Sequence, residues 1–315
     1  MASVPPSFLA ILLAMAAGYS VRKAGWLHAP SARRIMIAVQ KFSTPCVLLL
    51  SFWGLKLEVS HLLAVPLVGL GVIFFQYGLA FIAARFLGLK SESRGSFLIA
   101  AILSNVGYLG WSVNLALFGK PGFDFAFLFG FYFTFAVYVF AYPVAAQHSL
   151  SPQMRSLTLM KRLSVEGILA MAAGAILIGF LLNLSGVPRP AELGRLNPFL
   201  VLASTTVLMF AAGLTLRIRA LKPHAAPCIA ISAIKLVVSP LAVAAALGAV
   251  SRFTPIDPVL FRVLVIESMM PLAISCLTIS TIFRLNQDLM NGMWLVTTVL
   301  FFLLFRVALT MGIGL

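Results

Sequence analysis

The stretch FLIAAILSNVGYLGWSVNLALF, residues 97–118, is long enough to cross a bilayer and wrong in its middle for a helix that merely does so. As a helix rising 1.5 Å per residue it would span about 33 Å, against ~30 Å of hydrocarbon. Yet Ser104, Asn105, Gly107 and Gly110 stand at its centre, where leucine would cost least. Five hydrophobic stretches later, VLFRVLVIESMMPLAISCLTISTIF, residues 259–283, is interrupted at Met269-Met270-Pro271. Small and polar residues inside one span commonly serve only close helix packing. Two interruptions at corresponding places in two halves of a chain instead point to the binding site of a transporter.

Composition agrees with the membrane reading. Hydrophobic residues make up 61% of the chain and charged residues 10%, and the mean hydropathy is +1.05, far above that of soluble domains. Ten stretches have the length a spanning helix needs: 7–19 with residues upstream of it, 35–55, 62–86, 97–118, 125–146, 165–184, 199–216, 226–250, 259–283 and 289–312. Nothing of size remains for a soluble domain, so the chain reads as an all-α polytopic membrane protein. Ala14-Met15-Ala16-Ala17 imitates a signal-peptide cleavage site, but no basic residue precedes the apolar run and Arg22-Lys23 follow it, so the first stretch is read as a retained span.

The net charge of +15 calls for no nucleic-acid partner, because its distribution accounts for it. Fourteen Lys and Arg residues follow the odd-numbered stretches, among them Arg22, Arg94, Lys161, Arg219 and Arg284. Five lie in the other links: Lys56, Lys120, Arg189, Arg195 and Arg252. The positive-inside rule puts the first set in the cytoplasm and both termini outside, in a multi-pass protein of the cell membrane. Cys46, Cys228 and Cys276 have no spacing suited to a disulfide framework or a zinc site. All four histidines fall in or beside links, so neither a metal nor another cofactor is expected.

Second-half stretches begin about 160 residues after their first-half counterparts, and five spans per half force the second half to insert upside down. The expected organisation is a first five-helix repeat over 1–147, a cytoplasmic link over 148–163, and an inverted repeat over 164–315.

GYSVRKAGWL (18–27), KFSTPCVLLL (41–50), SNVGYLG (104–110) with the later LFG (117–119), AIKLVVSPL (233–241) and the Met-Pro of the ninth stretch together resemble the auxin efflux carrier family. The resemblance runs through nearly the whole chain and is closest to short bacterial members. It implies ten transmembrane helices in two inverted five-helix repeats, divided between a scaffold and a transport domain, with the fourth and ninth helices broken and crossing at mid-membrane. Carried over by position, the crossover asparagine of that family corresponds to Asn105, its glycine to Gly110 and its ninth-helix proline to Pro271. The chain departs from the pattern at Trp111, where many members have proline, which sets an indole where the family leaves space.

The residues themselves suggest a division of roles. Half-helices beginning near Trp111 and Pro271 present positive ends that favour a carboxylate, while the opposite ends offer carbonyls to a cation. Ser104, Asn105, Gly107, Gly110, Trp111 and Pro271 are the candidate substrate-binding residues. Glu267 is the one acid well inside a span, one turn before Pro271, and an intramembrane carboxylate is a functional residue by default. It is a candidate proton carrier, its structural alternative being a neutral or paired acid. Lys235 lies deep in the eighth stretch and either snorkels to the cytoplasmic edge or serves as a fixed cation that pairs with Glu267 or with an anionic substrate. The aromatics between Phe123 and Tyr142 are expected to face lipid or scaffold rather than a ligand.

A secondary carrier of small organic anions, mono- or dicarboxylates, accounts for the paired breaks and the buried acid. A membrane enzyme would need a nucleophile and base or a metal motif, and none is present. A channel would need pore-lining repeats or a carbonyl filter, and an ATP-driven pump a nucleotide loop. Proton coupling is the first expectation, sodium coupling the alternative, and a sensor on a carrier fold a third reading. The partners expected are the substrate anion, the lipid bilayer, a proton or sodium as coupling ion and, among assemblies, a homodimer.

Overall fold

A computed structural model of the chain describes residues 6–55, 59–150, 168–216 and 222–310. Most of the 148–163 link, with Arg155, Lys161 and Arg162, lies outside the described residues, as do Glu166, Arg217 and Arg219. The described residues are helical, with no strand beyond one isolated bridge, Ser104 with Leu272. A helix bonds all its own backbone groups, which hydrocarbon demands.

In chain order the helices are α1 (Pro6–Lys23), α2 (Ala29–Ala38), α3 (Thr44–Trp53), α4 (Val59–Phe86), α5 (Ser91–Ile102), α6 (Trp111–Phe129) and α7 (Tyr142–His148). There follow α8 (Ile168–Leu184), α9 (Ala191–Thr215), α10 (Ala225–Ala233), α11 (Ser239–Val250), α12 (Pro258–Ser268), α13 (Ser275–Ile282) and α14 (Gln287–Thr310). Five unbroken helical runs are long and apolar enough to cross a membrane: Pro30–Trp53, Leu63–Phe86, Ala191–Thr215, Ala225–Val250 and Gln287–Val307. Others of the ten expected stretches are met in pieces. The fourth is α5, an extended crossing and the start of α6; the ninth is α12, an extended crossing and α13. α6 itself turns at Gly119, whose φ of 62° is open to glycine at little cost.

Three turns of π-helix, Val39–Ser43, Ala136–Ala141 and Ile234–Val238, each end two residues before a proline: Pro45, Pro143 and Pro240. Proline has no N–H to donate and its ring pushes away the carbonyl four residues back. Admitting one extra residue per turn relieves the clash and lets the helix continue. These prolines bend spans without ending them. Lys235 lies in the third of these turns.

The helices pack in two groups. α9 lies against α1, α2 and α3, and α3 against α8. In the other group α4 packs on α5, α12 on α6 and α11, and α14 on α5, α10 and α13. Within the first group Gly18 and Gly213 let α1 and α9 touch backbone to backbone: a Cβ on Gly18 would meet the Phe210 carbonyl, and one on Gly213 the Met15 carbonyl. Such contact between small residues is how helices associate where lipid removes the hydrophobic drive.

Candidate functional site

The two broken segments cross as a short antiparallel pair. α5 ends where Leu103 turns extended (φ −108°, ψ 102°), and α12 ends at Ser268, with Met269 as its C-cap two residues before Pro271. The residue before a proline avoids helical angles, which holds Met270 out of the helix. Asn105 N–H donates to the Pro271 carbonyl at 2.7 Å and Ala273 N–H to the Leu103 carbonyl at 3.0 Å. Each break thus satisfies the other's backbone groups, which an isolated break in hydrocarbon would leave unpaired at several kcal/mol apiece.

A cavity of about 190 Å³ opens beside the crossing, between the two helix groups. One wall comes from α2, α3, α8 and α9, through residues such as Met36, Thr44, Ala172 and Leu208; the other comes from the crossing, α6 and α13. The N-terminal ends of α13 and of the π turn Val106–Gly110 both meet it, through Ile274, Ser275 and Gly107. In the first turn of α13 the Cys276 and Leu277 N–H groups bond back to the Ala273 and Ile274 carbonyls, and the aligned peptide dipoles still leave partial positive charge at both ends. Among the described lining residues none is charged.

Asn105 is the polar centre of the cavity. Its backbone is tied on both sides, the N–H to Pro271 and the carbonyl accepting from Gly110 N–H at 3.0 Å. The residue is 6% exposed, and its side chain lines the cavity and makes no hydrogen bond among the described residues. Ser104, Gly107 and Trp111 line the cavity with it, whereas Gly110 and Pro271 do not. Pro271 contributes its carbonyl to the crossing. Gly110 makes room instead: a Cβ there would fall on the Glu267 carboxylate.

The indole of Trp111 lies in the cavity wall at ring distances of 5.4 Å from Phe127 and 6.0 Å from Tyr108. Gly130 accommodates it, since a Cβ there would lie 3.2 Å from Nε1. The break survives without the family's proline because the chain has already left the helix at Leu103. The expectation that the fifth-span aromatics face only lipid or scaffold needs correction. Phe135 is exposed, but Phe127, Phe131, Phe133 and Tyr142 line the cavity.

Both ionisable candidates are buried and they are not partners. Glu267, 1% exposed, accepts from Asn114 Nδ2 at 2.8 Å through Oε1, and its Oε2 has no partner among the described residues. Asn114 Nδ2 also donates to the Gly110 carbonyl at 2.9 Å. Lys235 is fully buried and does not reach the membrane edge. Its Nζ donates to Ser104 Oγ at 2.6 Å, Gln76 Oε1 at 2.9 Å and the Ala101 carbonyl at 3.1 Å. Neither residue lines the cavity; Lys235 reaches its wall through Ser104.

Sequence reasoning passed over Gln76, Asn114, Tyr108 and Thr205. Gln76 Nε2 donates to Ser239 Oγ at 2.9 Å and to the Ser268 carbonyl, the last of α12, at 3.1 Å. The Tyr108 hydroxyl bonds to Thr44 Oγ1, and Thr205 Oγ1 donates to the Tyr108 carbonyl at 3.0 Å, joining the two helix groups at the cavity. A search for amides within spans, on the logic applied to Glu267, would have found Gln76 and Asn114.

A multi-pass helical protein with crossed, broken spans beside a largely apolar cavity that carries a polar centre belongs to the class of membrane transporters. The profile of the family described as membrane transport protein matches residues 4–309. The chain belongs to that family, the one its motifs resemble. It is similar to a protein of Methanothermobacter thermautotrophicus named an uncharacterized transporter, 27% identical over 93% of both chains. It is also similar to a protein of the same description in Methanocaldococcus jannaschii, 27% identical over 92% of both chains.

Proposed function

We propose that this protein is a proton-coupled secondary carrier of small monocarboxylates with an apolar body, working by alternating access in the cell membrane. The observation that carries the reading is the Asn105 amide, buried in the cavity between two helix N-termini with no partner among the described residues. A carboxylate there would accept from Asn105 Nδ2 and from the Ser275 N–H at the start of α13, charge-assisted bonds stronger than neutral ones. The rest of the wall is mostly apolar, with Phe127, Val137, Ala172, Ile176 and Leu208, and its polar groups, such as Gln40 and Thr278, are uncharged, so no cation is there for a second carboxylate. A volume below the roughly 300 Å³ at the low end for drug-sized ligands calls for a small acid.

In this reading the chain has ten spans in two inverted repeats, with both termini extracytoplasmic. The group holding the crossing moves against α1–α3, α8 and α9. The placement of Gln76 and Lys235 supports the repeat: they lie 159 residues apart, and each bonds the C-terminal carbonyls of the broken helix in the other half, Ser268 and Ala101 respectively.

Charge then sets the coupling. With Lys235 an ammonium and Glu267 a carboxylate, the empty moving group has no net buried charge. A bound monocarboxylate makes it negative, and one proton on Glu267 restores neutrality. At ~2.5 kcal/mol or more for a charge at the membrane centre, the unprotonated loaded form crosses roughly 70-fold more slowly. One proton moves with each anion.

The test is uptake by the purified protein in liposomes, over a panel of mono- and dicarboxylates with proton and sodium gradients imposed separately. Small apolar monocarboxylates should be taken up, and Asn105→Ala should lose uptake at wild-type expression, through loss of a donor to a charged group. Wild-type rate and apparent affinity in Asn105→Ala would place the site elsewhere.

A further inference from the structure

Each broken helix has two ends at the crossing, and the cavity meets only the amide-bearing kind. No residue from the last turn of α5 or α12 lines it. In carriers built on broken helices such C-terminal carbonyl ends commonly hold an inorganic coupling cation. Here a side chain occupies that position. Lys235 Nζ lies 3.1 Å from the Ala101 carbonyl near the end of α5, 2.9 Å from Gln76 Oε1 and 2.6 Å from Ser104 Oγ.

The partners define the group that binds them. A carbonyl only accepts. The Gln76 amide is oriented by its Nε2 donations to Ser239 and Ser268, which turns its Oε1 toward Nζ. The Ser104 hydroxyl donates to Gln76 Oε1 at 3.5 Å, leaving its lone pairs for Nζ. Three acceptors therefore meet the three protons of an ammonium, which has three donors and no acceptor. All members of the set are buried, and the negative end of the α5 dipole adds to the attraction.

We propose that Lys235 is a tethered cation in the seat of a coupling ion, which makes the carrier independent of sodium, and that removing its side chain opens a sodium site. The oxygens left behind, Gln76 Oε1, the Ala101 carbonyl and Ser104 Oγ, are the ligand type that hard cations take. Sodium independence of transport rests on the carrier reading; sodium binding by the variant does not.

The experiment is thermal unfolding of the purified protein in detergent, with sodium chloride exchanged for N-methylglucamine chloride at constant ionic strength. Wild type should have the same Tm in both. Lys235→Ala should have a lower Tm in N-methylglucamine and regain a few degrees in sodium, since about 200 mM ion against a Kd of about 10 mM favours the folded state about 20-fold. Lys235→Met, which fills the space without charge, should stay low in both. Folded Lys235→Ala with one Tm in both salts overturns the proposal, as does a wild type that sodium stabilises equally. Where Lys235→Ala gives no folded protein in either salt, Gln76→Glu is added to it. Recovery with sodium but not N-methylglucamine then supports the assignment, and recovery with neither overturns it. Because the measurement is of unfolding, it stands even if no transported acid is found.

Discussion

Replacing Glu267 by glutamine permanently removes the charge that protonation removes reversibly, and the structure states what else changes. The glutamine side chain would keep an oxygen for Asn114 Nδ2, the one hydrogen bond that Glu267 accepts among the described residues. Its amide nitrogen would take the place of Oε2, which already lacks a partner there. The new cost is one buried NH₂ group without an acceptor, ~1–3 kcal/mol, set against relief from burying a carboxylate. Folded protein should therefore be recovered near the wild-type level. In the variant the loaded moving group is neutral without a proton and the empty one carries the Lys235 charge. Exchange of labelled for unlabelled acid, which never moves the empty form, should persist. Net accumulation driven by pH should not: one proton per anion permits about tenfold accumulation at a pH difference of about one unit, worth ~1.4 kcal/mol, and the variant should reach none. The assay is uptake of labelled acid into liposomes under an imposed pH gradient, beside counterflow in its absence. Tenfold accumulation persisting in Glu267→Gln would refute the charge argument and place coupling on another group.

Trp111→Ala should widen the range of acids accepted, because the indole forms part of the wall against Phe127 and Tyr108; unchanged selectivity across acids of increasing bulk would give it a packing role alone. Gly110→Ala should lower Tm and abolish transport, since its methyl group would overlap the Glu267 carboxylate, an overpacking that costs ~1–3 kcal/mol; a wild-type melting curve would show that α6 and α12 can separate there. Single cysteines in a background without Cys46, Cys228 and Cys276 should react with an impermeant maleimide outside the cell near Lys120 and Arg189 but not near Pro152, as the fourteen-to-five distribution of Lys and Arg requires.

The crossing was legible in the sequence because hydrocarbon makes asparagine and paired glycines expensive there, so Ser104–Gly110 and Met269–Pro271 stood out against their surroundings. Which faces the aromatics present was not legible, and the reason is geometric. Between Phe123 and Tyr142 the chain passes through a 3₁₀ turn at Gly130–Tyr132 and a π turn at Ala136–Ala141. A tightened turn and a widened turn each rotate the following residues off the 3.6 period. No single periodic pattern could then say that Phe127 and Phe133 face the cavity while Phe135 faces out. The amides escaped notice for another reason: Gln76 and Asn114 are uncharged, and it is their contacts with Lys235 and Glu267 that tie them to the site.

Those contacts also explain why the two buried ionisable groups are held by amides rather than by each other. In a buried ion pair, protonating the acid would strand the lysine without its counter-ion, a loss of several kcal/mol. The protonation that the proposed coupling requires would then disrupt the crossed segments themselves. With Gln76, Ala101 and Ser104 around Lys235, and Asn114 beside Glu267, the carboxyl can gain or lose a proton without removing any partner of the ammonium. The two sites then act on one another only through the net charge of the body that carries them. That suits a carrier in which the substrate, bound at Asn105, is the third charge in the count.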